Sequence, residues 1–124
     1  MRLILVEDEP LIALDLEILA SSAGHQVVGV AESFPDALAL LAAYGPEAAL
    51  VDLNLRDGLT GLDVARQLTD RGVTVAFVTG NAEQIPEDFS GAVAIMEKPF
   101  TEEGVIGLLG MMQTVRAGGS LPPV

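Results

Sequence analysis

The chain has 124 residues, half of them hydrophobic, and no cysteine; six basic residues against 18 acidic ones give a formal net charge of −12 at pH 7. This length suits one domain with a substantial core. The acidic balance disfavours partners such as nucleic acid or an anionic membrane and favours cationic partners and divalent metals. The lack of cysteine excludes disulfides, zinc–thiolate sites and thiol catalysis. No run of the sequence has the pattern of a signal peptide or a membrane span, so we expect a cytoplasmic protein.

Short apolar runs alternate with helical patterns along the chain. The expected strands are 2–6, 26–30, 48–51, 73–78 and 92–96, and the expected helices are 11–23, about 33–44, 61–71 and one beginning after Thr101. Pro10 suits the first turn of the first helix. Either Ser33 or Asp36 can cap the second helix, and Gly45 ends it. In the first helix Leu11, Leu14 and Ile18 share one face.

Strand–helix alternation with short connections predicts an α/β fold with a parallel sheet and helices on both faces. Right-handed crossovers then give a flavodoxin-like, doubly wound five-stranded sheet of order 2-1-3-4-5. Pro86 interrupts the fourth crossover, which has few apolar residues, so we expect its helix to be short, irregular or mobile. We expect one domain over residues 1–117 and a flexible tail over 118–124.

Charged residues follow three of the predicted strands. Glu7 and Asp8 follow the first strand, Asp52 follows the third and Lys98 follows the fifth. An open α/β sheet binds its ligand at the carboxyl ends of its strands, so these groups are expected to converge on a divalent cation and a phosphoryl group. Taken singly, each has an ordinary explanation: charge at a helix start, a turn aspartate, a solvated lysine. Their coincidence at one edge favours a site.

The ordered set resembles the CheY-like receiver domains of two-component response regulators. The residues that carry the resemblance, over nearly the whole chain, are Glu7-Asp8, Asp52, Thr79 and Lys98-Pro99-Phe100. The stretch 76–80, with sequence AFVTG, is similar to the alphaproteobacterial FATGUY single-domain subgroup of receivers. Asn81 stands where the signature of that subgroup has a tyrosine.

The resemblance implies a magnesium site. The side chains of Asp8 and Asp52 and the backbone carbonyl of Asn54 would hold Mg²⁺, and Glu7 would assist through a bound water. Magnesium suits this set because it prefers oxygen ligands and keeps several waters.

The resemblance also implies roles in phosphoryl transfer. Asp52 would be the phosphoacceptor, attacking a phosphohistidine on a sensor histidine kinase or a histidine phosphotransfer protein. Lys98 would neutralise charge on the phosphoryl group and the Thr79 hydroxyl would donate to one of its oxygens. The protein would then be a signalling phosphoprotein rather than an enzyme, promoting only its own Mg²⁺-dependent phosphorylation and dephosphorylation.

The expected function is that of a stand-alone response regulator in a two-component phosphorelay. Its downstream protein target would contact the fourth-helix region, the fifth strand and the last helix. Because Ile95 replaces the usual aromatic switch, residues 81–90 are the better candidate for the moving element. The alternatives are a phosphorylation-independent pseudo-receiver that only docks, an intermediate or sink of a phosphorelay, a receiver cut from a larger regulator, and a flavodoxin-like cofactor binder.

The last helix departs from an ordinary amphipathic pattern. Gly104, Gly107 and Gly110 recur at every third position, and its apolar residues cover more than one face. Some apolar side chains would then be exposed in a monomer, which suggests a partner or homodimer contact. The alternative is a helix that simply packs its bulk against the sheet.

Overall fold

The computed structural model describes residues 1–118 of the chain. Its strands are β1 (Arg2–Val6), β2 (Gln26–Ala31), β3 (Ala48–Val51), β4 (Thr74–Thr79) and β5 (Ala94–Glu97), and its helices are α1 (Pro10–Ser22), α2 (Phe34–Tyr44), α3 (Gly61–Asp70) and α4 (Glu102–Arg116). Most of the predicted flexible tail, residues 119–124, lies outside the described residues.

The five strands are parallel and lie in the order β2-β1-β3-β4-β5, which confirms the predicted doubly wound topology. Side chains alternate between the two faces of the sheet because successive residues of a strand point to opposite sides. Ile4 and Val6 therefore pack in the core beneath α2 and α3, whereas Leu3 and Leu5 pack in the core beneath α1 and α4. Central strands buried on both faces explain the nearly continuous apolar runs.

The helix ends follow the capping residues in the sequence. The Ser33 side chain accepts a hydrogen bond from the Asp36 amide, so Ser33 rather than Asp36 caps α2. Gly45, with φ of 51°, closes α2 in the left-handed conformation that favours glycine. Thr101 caps α4 by accepting from the Gly104 amide.

The apolar face of α1 that the sequence indicates is exposed to solvent. Leu11, Leu14 and Ile18 do share a face, but they are 79%, 51% and 53% exposed. The helix instead buries a second stripe, formed by Ala13, Leu16 and Ala20. Two apolar stripes run along α1, and only the packing against the sheet decides which of them is covered.

The connection from β4 to β5 contains two single 3₁₀ turns, Ala82–Gln84 and Phe89–Gly91. The prediction of a short, irregular fourth helix is thus confirmed. Phe89 and Ser90 have φ of 56° and 48°, a left-handed conformation that non-glycine residues seldom adopt. β5 begins at Ala94, two residues later than predicted, because it pairs with β4 from Ala76 onward.

The α4 helix buries one apolar side and leaves two of its three glycines open. Val105, Leu109 and Met112 are fully buried, while Ile106 is 39% exposed. A Cβ added at Gly107 or Gly110 would meet open space, whereas one added at Gly104 would meet Thr101 and Met96, so only the last two glycines of the stripe face outward. Within residues 1–118, no helix has the length and apolar character needed to cross a membrane.

Candidate functional site

The ends of β1, β3 and β5 bring the predicted charged residues together. Parallel pairing places Val6 beside Val51 in adjacent strands, so the residues that follow them also become neighbours. One carboxylate oxygen from each of Glu7, Asp8 and Asp52 lies within 4.8 Å of the other two. Glu7 and Asp52 are 2% and 7% exposed, whereas Asp8 is half-buried.

Lys98 pairs with two of these carboxylates at once. Its Nζ lies 2.6 Å from Oε1 of Glu7 and 3.0 Å from Oδ2 of Asp52. Burial on its own would lower the pKa of the Lys98 ammonium. The hydrogen bonds to both carboxylates, together with their charges, outweigh burial and raise that pKa above its ordinary value. Lys98 is therefore a firmly protonated cation at the centre of the site.

Glu7 is a carboxyl group of the cluster whose pKa is clearly raised. Burial raises the pKa of its carboxyl to about 7, against an opposing hydrogen bond from Lys98; the charge of Asp52 adds to the rise. Oε2 of Glu7 also accepts a hydrogen bond of 3.2 Å from the Glu9 amide. Two buried carboxylates share one lysine, so the cluster carries an excess of negative charge that a further cation would relieve.

A cavity of about 280 Å³ opens onto this cluster. It is lined by Asp8, Glu9, Asp52, Asn54, Gly80, Asn81 and Lys98. Glu7 does not line it. The fully buried Thr79 does not line it either, and its Oγ1 accepts a hydrogen bond of 3.0 Å from the Asn81 amide. The cavity thus joins Asp8, Asp52 and Lys98 to Gly80 and Asn81, the first residues of the β4–β5 connection.

The donors around the cavity fit a hard divalent cation. Asp8, Asp52 and the Asn54 carbonyl offer oxygen, which magnesium and calcium prefer. The oxygens of Glu7, Asp8 and Asp52 that lie within 4.8 Å of one another form a group compact enough to face a single cation. Because Asn54 is exposed and Asp8 is only half-buried, there is room for the waters that such an ion retains.

Several groups around Asp52 were not identified from the sequence. The Leu53 amide donates to Oδ1 of Asp52 at 2.7 Å, and the Glu9 amide donates to Glu7. Gly61 lies so close to the Asp52 carbonyl oxygen that any Cβ at this position would overlap it. All of these contacts involve the backbone, so residue type does not predict them. The exception is the close approach at Gly61, which only a glycine allows.

The chain belongs to the response regulator receiver domain family, whose model matches residues 3–109. Phyllosphere-induced regulator PhyR of Methylorubrum extorquens is 34% identical over 111 residues, which cover 87% of this chain and 42% of PhyR. Transcriptional regulatory protein PdtaR of Mycobacterium tuberculosis is 28% identical over 109 residues, covering 85% of this chain and 53% of PdtaR. The chain thus spans about half the length of these relatives or less.

Solved structures of receivers match the whole fold. The PhyR receiver domain of Erythrobacter litoralis superposes with a TM-score of 0.85 at 29% identity, over 99% of this chain and 95% of that domain. PhyR of Brucella abortus superposes with a TM-score of 0.81 at 34% identity, over 94% of this chain and 49% of that protein. The fold and the family thus both identify a receiver domain of two-component response regulators.

Proposed function

We propose that this domain is a phosphorylatable receiver that accepts a phosphoryl group on Asp52 and signals by protein contact. The observation that carries the proposal is that Asp52, Asp8 and Lys98 line the same cavity. A nucleophilic carboxylate, a second carboxylate for a metal and a fixed cation are the parts that phosphoryl transfer requires. The partner that donates the group would be a histidine kinase or a histidine phosphotransfer protein.

The chemistry follows from the residues around Asp52. An Oδ atom of Asp52 attacks phosphorus, the P–N bond of the donor phosphohistidine breaks, and the imidazole leaves with the electron pair and takes up a proton. Lys98, already 3.0 Å from Oδ2, neutralises negative charge on the transferred group. The Thr79 hydroxyl, which does not line the cavity in this structure, would have to turn toward it to donate to another phosphoryl oxygen. Mg²⁺ held by Asp8, Asp52 and the Asn54 carbonyl would supply further charge neutralisation when bound.

Replacement of the nucleophile tests the proposal. We expect Asp52→Asn to abolish phosphoryl incorporation from acetyl phosphate and Mg²⁺, since the amide cannot form the acyl phosphate. Intact-protein mass spectrometry measures the modified fraction. Asp63→Asn, which removes an exposed aspartate on α3 outside the cavity, is the matched control. If neither the wild type nor the control is modified by any phosphodonor, the domain is a pseudo-receiver that docks without phosphorylation.

Magnesium should stabilise the folded domain. At about ten times its dissociation constant, the ion is expected to add about 1.4 kcal/mol to the free energy of unfolding. Thermal melts in EDTA and in millimolar MgCl₂ measure this, with Asp8→Asn as the variant that loses the response. The same melting midpoint in both buffers for the wild type would count against a magnesium site.

The β4–β5 connection is proposed as the element that carries the signal. The Thr79 hydroxyl oxygen accepts a hydrogen bond from the Asn81 amide near the start of this segment, and the left-handed residues Phe89 and Ser90 lie near its end. An ion pair of 2.6 Å between Arg66 and Asp88 holds it to α3. A segment with strained backbone, held only by an exposed ion pair, can adopt two conformations of similar free energy, as a switch element requires.

The downstream partner would contact this connection, β5 and α4. The open positions Gly107 and Gly110 on α4 keep a homodimer contact as an alternative. PhyR of Bartonella quintana, an anti-anti-sigma factor, is 29% identical with a TM-score of 0.84, and the chain covers 50% of it. By that likeness the partner would be an anti-sigma factor. Both the stand-alone role and the alternative of a receiver cut from a larger regulator stay open, since the chain covers 50% of that PhyR but 95% of the receiver domain of Erythrobacter litoralis.

A further inference from the structure

The loop between β3 and α3 is fixed on both sides of Asn54. Leu53 and Leu55 are buried, while Asn54 between them is exposed. The Leu53 amide is bonded to the Asp52 carboxylate. Beyond Asn54, Leu55 and Gly58 exchange backbone hydrogen bonds of 2.8 and 3.0 Å, which close a tight turn. The Asn54 carbonyl therefore lies between a fixed strand end and a closed turn.

Arg56, at the tip of this turn, contacts the segment that leads into α2. Its amide donates to the Glu32 carbonyl at 2.9 Å. Its guanidinium reaches the Glu32 carboxylate at 3.0 Å and the Asp36 carboxylate at 3.2 Å. A guanidinium presents its N–H donors in a rigid planar fork, whereas an ammonium is a point charge on a flexible stem.

Asp57, the next residue, joins the starts of two helices. One carboxylate oxygen accepts a hydrogen bond of 3.1 Å from the Phe34 amide, the first residue of α2. The other accepts a hydrogen bond of 2.6 Å from the hydroxyl of Thr60, which precedes α3. We call Arg56 and Asp57, with these contacts, the loop clamp.

We propose that the loop clamp sets the position of the Asn54 carbonyl and thereby the affinity of the site for Mg²⁺. The proposal rests on the magnesium site of the proposed function. Arg56 and Asp57 do not line the cavity that Asn54 shares with Asp8 and Asp52, so they are positioning residues that act through the loop backbone. Partners that hydrogen-bond a metal ligand without touching the metal change affinity about 10- to 100-fold. Arg56 and Asp57 act one step further from the metal, so we expect an effect at the lower end of that range.

Charge alone makes the opposite prediction for one variant. Arg56→Gln removes a positive charge from the surroundings of an acidic site, so a purely electrostatic influence would make Mg²⁺ bind more tightly. Loss of the loop clamp would make it bind more weakly, because the Asn54 carbonyl is no longer held. Asp57→Ala weakens binding under both explanations, so Arg56 decides between them.

The experiment is an NMR titration of MgCl₂ into isotopically labelled wild-type protein and variants, with melting midpoints measured in EDTA. We expect Arg56→Gln to weaken Mg²⁺ binding about tenfold and Arg56→Lys to restore part of it. Arg71→Gln, which removes the same charge from an exposed position directly after α3, should not weaken it. Exposed pairs contribute little to stability, so midpoints should stay within about 3 °C of the wild type.

Two results would overturn the inference, and they are distinguishable. If the wild type binds Mg²⁺ and Arg56→Gln binds it equally or more tightly, the loop clamp has no positioning role, while the proposed function stands. If the wild type itself does not bind Mg²⁺, the magnesium site of the proposed function fails and the inference fails with it.

Discussion

Lys98→Met is expected to lower the free energy of unfolding of the metal-free protein by about 3–5 kcal/mol at pH 8, the cost of breaking a buried ion pair. Lys98 is the cation in contact with both Glu7 and Asp52. Methionine fills a similar volume but leaves two buried carboxylates without their partner. Urea denaturation in EDTA measures the loss, and millimolar Mg²⁺ should recover part of it.

The matched control is Arg66→Met, which breaks an ion pair with Asp88 whose side chains are 47% and 64% exposed. Screening by water limits that loss to less than about 1 kcal/mol. If Lys98→Met is too unstable to study alone, the double variant Glu7→Gln, Lys98→Met removes one of the orphaned charges and should regain stability. A Lys98→Met loss no larger than the control would mean that the cluster is solvated.

The strand ends could be predicted from the sequence because local pattern and global topology agree there. Buried parallel strands must be apolar, so charges at Asp52 and Lys98 stand out against their runs, and the crossover rules then place them at one edge. The same reasoning predicted the weak fourth helix from Pro86. These features depend on residue type and chain order, both of which the sequence contains.

Other features depend on packing between distant segments. In α1, Leu11 and Leu16 belong to different apolar stripes, and only contact with the sheet determines that Leu16 is buried. The contact between Glu7 and Lys98 joins residues 91 positions apart, and its geometry follows from rotamers that the core selects. The left-handed Phe89 carries no sequence signal, since the residues that favour this conformation are glycine and asparagine.

When the pH is raised from about 4.5 to above 7 in EDTA, we expect the free energy of unfolding of the wild type to fall by about 3 kcal/mol more than that of Glu7→Gln. In the unfolded chain Glu7 loses its proton near its ordinary pKa of 4.5, whereas in the fold its pKa is about 7. Between these values the folded state binds more protons, so stability falls as pH rises. Above about 7 both states are ionised and the loss is complete. Urea denaturation across this range, compared between the two proteins, isolates Glu7 from the other carboxylates.

Adding Mg²⁺ or replacing Lys98 should change the pH at which the wild type loses stability, and the direction of each change tests whether Glu7 is the cause. A bound cation favours the ionised carboxylate, so Mg²⁺ is expected to lower the pKa of Glu7 and flatten the difference between the wild type and Glu7→Gln. Lys98→Met removes the hydrogen bond that opposes the rise in that pKa, so the transition should shift to higher pH. Parallel profiles for the wild type and Glu7→Gln in EDTA would contradict the buried position of Glu7. If they diverge in EDTA and converge with Mg²⁺, protons and the metal ion compete for the same cluster of carboxylates.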